Sequence, residues 1–203
     1  MHPSPSEKLA LSQLAGITRA LLRSFRSPPI RDFLSLWPDQ TVPVRHPVPS
    51  PLPALHSLPI VCAAAEPFAA GLCSTLLHAT PILEWRQTYT EDDFGPHFLQ
   101  RYGWTELIGQ RGPFPSDRLA AGFILLGPDT EYPPHRHEAE EIYIPLSGHA
   151  LWLKDDSGWL SRPPGEIVHH VAWTRHAIRT RQNPLLALYL WRGGNLTQKS
   201  IIG

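Results

Sequence analysis

Apolar and polar positions alternate with two different periods along this chain. Between residues 6 and 25, "SEKLALSQLAGITRALLRSF", Leu11, Leu14, Ile17, Leu21 and Phe25 recur at spacings of three and four. That spacing predicts an amphipathic helix. Ser4 or Ser6 can cap its start, and Ser27-Pro28-Pro29 stops it. A short second helix is expected over 30–36. Residues 60–79, rich in Ala and Leu, predict further helix, with Pro67 and Gly71 interrupting the middle.

From about residue 115 the period shortens. Aliphatic and aromatic runs are now separated by Gly, Pro and Asp: "LAAGFILLGP" (119–128), "EIYIPLSG" (141–148), "HALWLK" (149–154), "EIVHHVAW" (166–173), "HAIRTR" (176–181) and "LLALYLW" (185–191). Each reads as a strand, and "KDDSGW" (154–159) as a turn between two of them. Strands this closely spaced predict a sandwich or a small barrel. The fold class expected is therefore mostly β, with a C-terminal β-barrel and an N-terminal helical segment packed on it. The helical region spans 1–80 and the barrel 81–203, as one structural unit. Six of the chain's 23 prolines fall between residues 41 and 60. Pro at that density fixes φ and removes backbone donors, so 41–59 is expected to be an extended connector.

Composition removes several function classes. Of the 203 residues 42% are hydrophobic, enough for a packed core. Lys plus Arg and Asp plus Glu are 18 each, so no net charge draws the chain to nucleic acid or an anionic membrane. The N-terminus lacks the basic and apolar regions of a secretory signal, and no apolar run approaches the ~18 residues of a membrane span. A cytoplasmic location is expected. The two cysteines, Cys62 and Cys73, read as buried thiols, not as zinc ligands or a disulfide framework.

Six of the eleven histidines lie between 135 and 176. In "PPHRHEAEEIYIPLSG" (133–148), His135, His137, Glu141 and Tyr143 all have odd numbers, so on continuous strand they share one face, while Glu138 and Glu140 face away. Two imidazoles and a carboxylate suit one divalent first-row ion: zinc, iron(II), manganese, cobalt or nickel. A further ligand is best supplied by His176, at the start of its strand. His169 and His170 compete for that role; mid-strand, they read as solvated or core-satisfied histidines.

Gly127, His135-x-His137, Glu141 and Gly148 together resemble the first cupin motif, with a longer interval before His135 than is common. "RPPGEIVHHVAWTRH" (162–176) resembles the second, ending on His176, although Thr180 stands where an asparagine is frequent. The stretches 98–148 and 175–194 more narrowly resemble the bacterial cupin-type dimethylsulfoniopropionate (DMSP) lyases, above all in Tyr132-x-x-His135-x-His137-x-x-x-Glu141-x-Tyr143 followed by His176. The resemblance implies a cupin barrel with His135, His137, Glu141 and His176 around a metal and Tyr143 as the base, assisted by Tyr132. It implies a carbon-sulfur lyase acting on a zwitterionic sulfonium carboxylate. Trp152, Trp173 and Trp191, in or beside expected strands, are candidates to face the sulfonium. Another metal-dependent cupin enzyme, a dioxygenase or isomerase, and a non-catalytic small-molecule-binding cupin are the alternatives. A homodimer paired through a barrel edge is compatible with either.

Overall fold

The structure, a computed structural model, describes residues 3–39 and 43–203. Helix α1 (Pro5–Ser24) opens on a capping box, in which the Ser4 side chain accepts from the Glu7 amide and the Glu7 carboxylate accepts from the Ser4 amide. Its fully buried line is Leu11, Leu14, Thr18 and Leu22, one position off the expected stripe; Ile17, Leu21 and Phe25 flank it. Thr18 can join that line because its hydroxyl donates back to the Leu14 carbonyl at 2.7 Å. Helix α2 (Pro28–Leu34) follows. The Ala-rich stretch is two helices, α3 (Leu58–Ala63) and α4 (Pro67–Ala79), with Pro67 starting the second rather than breaking the first. Gly71 is tolerated in α4 because a Cβ there would lie 3.3 Å from Ile17 of α1. The Pro-rich connector is not wholly extended: Pro53–Ser57 form a 3-10 turn, and residues 41–42 lie outside the described residues.

The remaining chain forms strands β1 (Trp85–Arg86), β2 (Tyr102–Ile108), β3 (Leu119–Leu126), β4 (Glu131–Arg136), β5 (Glu140–Ser147), β6 (Ala150–Lys154), β7 (Trp159–Arg162), β8 (Val168–His170), β9 (His176–Thr180), β10 (Leu185–Arg192) and β11 (Ile201–Ile202). A kinked helix α5 (Glu91–Leu99) precedes β2. The strands make two antiparallel sheets, ordered β1-β2-β3-β10-β5-β8 and β11-β4-β9-β6-β7, in a jelly-roll arrangement.

The six-stranded sheet is buried on both faces. Phe123, Leu125, Ile142, Ile144, Leu188 and Leu190 belong to the apolar layer shared with Leu11, Phe33, Leu72 and Leu76 of the helices. Their neighbours Ile124, Leu126, Tyr143, Ala187 and Tyr189 belong to the inner layer, with Trp152 and Ile178 of the opposite sheet. Double burial is why β3, β5 and β10 read as nearly continuous apolar runs, without strict alternation.

One expectation is corrected, and one strand was not foreseen. The stretch 166–173 is strand only over β8, because Gly165 (φ 86°) and Trp173 (φ 66°) turn the backbone at each end. Strand β4 was hidden by Pro133 and Pro134; its pairing with β9 shifts register between Tyr132 and His135, so the prolines need not donate to the ladder. The β5–β6 turn depends on Gly148, whose φ is 88° and where a Cβ would sit 2.0 Å from the Pro184 carbonyl oxygen. Gly148→Ala is expected to lose at least ~2 kcal/mol of stability in urea unfolding, from left-handed strain and the clash together.

Candidate metal centre

His135 and His176 face each other in register across β4 and β9, and His137 follows just beyond β4. Their exposures are 1%, 0% and 2%, and one ring nitrogen from each lies within 4.8 Å of the others. The other nitrogen is spoken for: Nδ1 of His135, His137 and His176 donates to the carbonyls of Pro133 (2.8 Å), Ala139 (2.9 Å) and Thr174 (2.9 Å). These hydrogen bonds fix one tautomer and leave Nε2 of each ring as a lone-pair donor. Among the described residues, Nε2 of His135 and of His176 has no hydrogen-bond partner despite complete burial. Three buried imidazoles aimed at one point, two of them with an unpartnered Nε2, fit a divalent first-row ion.

Glu141 reaches the same point from the other sheet. It is completely buried, its Oε2 lies 3.1 Å from His137 Nε2 and 3.0 Å from His176 Nε2, and its Oε1 accepts from Trp191 Nε1 at 2.5 Å. Burial opposes ionisation of this carboxyl, and it takes a proton on the adjoining His137 or His176 ring to outweigh that and hold Glu141 well below the usual carboxylate range. The inward parity expected for residues 135, 137, 141 and 143 holds, with the pleat broken at 138–139. Glu140 and His169 take the outer face, paired with one another at 2.8 Å.

Tyr143 is buried on β5, opposite Tyr189 of β10, while Trp191 stands opposite Glu141. Burial first, and then the Glu141 carboxylate, push the Tyr143 phenol well above its ordinary value. Tyr132 stacks on His135 (centroids 4.0 Å apart, 16° between planes), and its hydroxyl is hydrogen-bonded to that of Tyr89 at 2.9 Å. Glu141, Tyr143 and Tyr132 all open onto a cavity of about 550 Å³, whose aromatic walls are Tyr102, Trp104, Tyr189 and Trp191. A cavity of this size suits a small organic molecule.

The three tryptophans expected to meet a ligand are not brought together. Trp191 is in the wall. Trp152 lies behind Tyr143, with ring centroids 5.2 Å apart, and does not line the cavity. Trp173 is 49% exposed on the turn between β8 and β9, because its left-handed backbone swings it outward. Trp104 and Tyr189 went unnoticed in the sequence. Tyr189 shares the parity of Trp191, a usable signal; Tyr89, on an irregular segment, offered none. His170 faces inward, not to solvent, and burial followed by the neighbouring His176 pushes its ring down to about 3.

Comparison with known proteins places this geometry. The DMSP lyase family model matches residues 38–187. The chain is 36% identical over 172 residues, 83% of either chain, to dimethylsulfoniopropionate lyase DddQ of Ruegeria pomeroyi. The crystal structure of DMSP lyase DddQ from Ruegeria pomeroyi DSS-3 superposes with a TM-score of 0.84 at 30% identity, over 95% of each chain. A crystal structure described for the DMSP lyases RdDddP and RnDddQII superposes with a TM-score of 0.87 at 32% identity, covering 97% of this chain and 99% of that one.

If the inner histidines hold the ion, His137→Ala or His176→Ala should retain less than about a tenth of the divalent metal carried by the parent protein, measured by elemental analysis after gel filtration. His169→Ala, on the outer face of the same strand as His170, should retain it in full.

Proposed function

The chain belongs to the DMSP lyase family of carbon-sulfur lyases, and from that membership we propose that it cleaves DMSP to dimethyl sulfide and acrylate by β-elimination. The observation that carries this reading is a cluster of three buried imidazoles joined to an aromatic cavity through Glu141, which reaches the cluster and lines the cavity beside the Tyr143 phenol. His135, His137 and His176, with Glu141, would hold the ion. When bound, a divalent cation supplies a Lewis acid for the substrate carboxylate and a positive charge that favours the Tyr143 phenolate over the phenol.

Tyr143 then acts as the base. Its oxygen takes the proton from the carbon α to the carboxylate. The electron pair of that C–H bond becomes the new carbon-carbon double bond, and the carbon-sulfur bond breaks with its electrons leaving on sulfur. Acrylate and neutral dimethyl sulfide result. Tyr132 holds the His135 ring by stacking and has its own hydroxyl committed to Tyr89, so its role in this scheme is positional. The sulfonium is received by the ring faces of Trp191, Trp104 and Tyr189, which attract a cation without offering a nucleophile to attack it. Burial of Tyr143 keeps bulk water from competing as a proton acceptor or as a ligand of the developing negative charge.

Purified, metal-loaded protein incubated with DMSP under strictly anaerobic conditions should release dimethyl sulfide into the headspace, with an equal amount of acrylate in solution. Tyr143→Phe should lower kcat by at least ~100-fold with bound metal unchanged, as expected for removal of a general base. A requirement for oxygen would turn the reading toward a dioxygenase. Tyr143→Phe turning over at the parental rate would remove Tyr143 as the base.

A further inference from the structure

His170 is left without a role by the reaction above, yet its position is unusual. It is 1% exposed, and neither ring nitrogen has a hydrogen-bond partner among the described residues. A buried imidazole with both nitrogens unsatisfied is disfavoured, and an apolar side chain would fill the site at less cost. The ring also does not point into the main cavity. What it does contact is His176: the two rings are stacked with centroids 4.2 Å apart and planes 13° from parallel. The backbone puts it there, since His170 pairs in register with Glu141 across β8 and β5.

His176 is tethered along one edge by the Nδ1 hydrogen bond to Thr174. That bond fixes the tautomer but does not by itself set the tilt of the ring about the tethered edge. A flat face laid parallel against it removes this freedom. On the reading of His135, His137 and His176 as metal ligands, we propose that His170 is a positioning residue for the metal centre, whose stacked ring sets the tilt of His176 and thereby the direction of its free Nε2. The flat ring of His170 does this, not its nitrogens, so neither filling the space nor hydrogen bonding can replace it.

The test compares His170→Ala, His170→Leu and His170→Phe with the parent, all as full-length chains. Cobalt(II) is titrated into the metal-stripped proteins in competition with a chelator, and the ligand-field absorption bands are recorded; thermal melts of the stripped proteins report folding. His170→Phe, which keeps a flat ring and loses the nitrogens, should bind cobalt(II) within about threefold of the parent and keep its bands. His170→Leu, which fills the space without a flat face, should melt near the parent yet bind about tenfold or more weakly, with altered bands, and His170→Ala should bind at least as weakly. Parental affinity in His170→Leu, or His170→Phe as weak as His170→Leu, overturns the proposal. If the parent itself takes up no cobalt(II), the metal-centre reading fails first and this inference falls with it.

Discussion

The structure turns on the price of placing polar groups inside a barrel. Three imidazoles and a carboxylate are withdrawn from water between two sheets, and each unsatisfied group there costs on the order of 1–3 kcal/mol. The chain meets this with backbone carbonyls. Pro133, Ala139 and Thr174 each accept from one Nδ1, which satisfies half of every ring and points the other half inward. What remains unsatisfied is concentrated at one point, and that concentration is what makes the point a site for a cation.

The division of labour between the two sheets follows from the same constraint. The helices cover the outer face of the six-stranded sheet with an apolar layer that has no polar duties, and most of the folding driving force can be drawn from it. The inner face is then free to carry tyrosines, Glu141 and an aromatic cavity, at some cost in packing. Glu141 and Tyr143 come from one sheet and His135 and His176 from the other, so the site exists only when both sheets are in register. The C-terminal segment joins them further: β11 pairs with β4 at Arg136 and His135, and Lys199 pairs with Asp93 of α5. The turn between β8 and β9 is tied in by the Trp173 amide, which donates to the His137 carbonyl at 2.8 Å.

Electrostatically the site is poised for an ion before one arrives. Glu141 is held ionised only when the neighbouring imidazoles carry positive charge, while the carboxylate and burial keep Tyr143 protonated. Positive charge at the imidazoles would act on both groups in one direction, stabilising the carboxylate and easing loss of the phenolic proton. The Tyr143 phenol and the histidine cluster are therefore not independent parts. They share Glu141, and Trp191, which donates to Glu141 from the cavity wall, connects that pair to whatever occupies the cavity.

The sequence by itself determined the helical N-terminal segment, the β-rich remainder and the parity that turns His135, His137, Glu141 and Tyr143 inward. These are local quantities: a period of 3.6 or 2 is written in consecutive residues, and side-chain direction on a strand follows from it. The place of His176 at the start of its strand singled it out from His169 and His170, which lie mid-strand, and the motif resemblance pointed to the same residue. Tertiary structure decided the rest. Prolines concealed β4, and residues before 115 that form β2 carried no clear alternation, because a strand covered on both faces has no polar side to show. Trp152 and Trp173 shared the composition of cavity residues but not their place, since which wall a side chain joins depends on sheet pairing and on one left-handed backbone angle. Tyr89 and Tyr132 lie 43 residues apart, yet their hydroxyls meet. No local pattern encodes such a meeting, because the distance between two side chains is set by how the sheets close and not by the spacing of their residues along the chain.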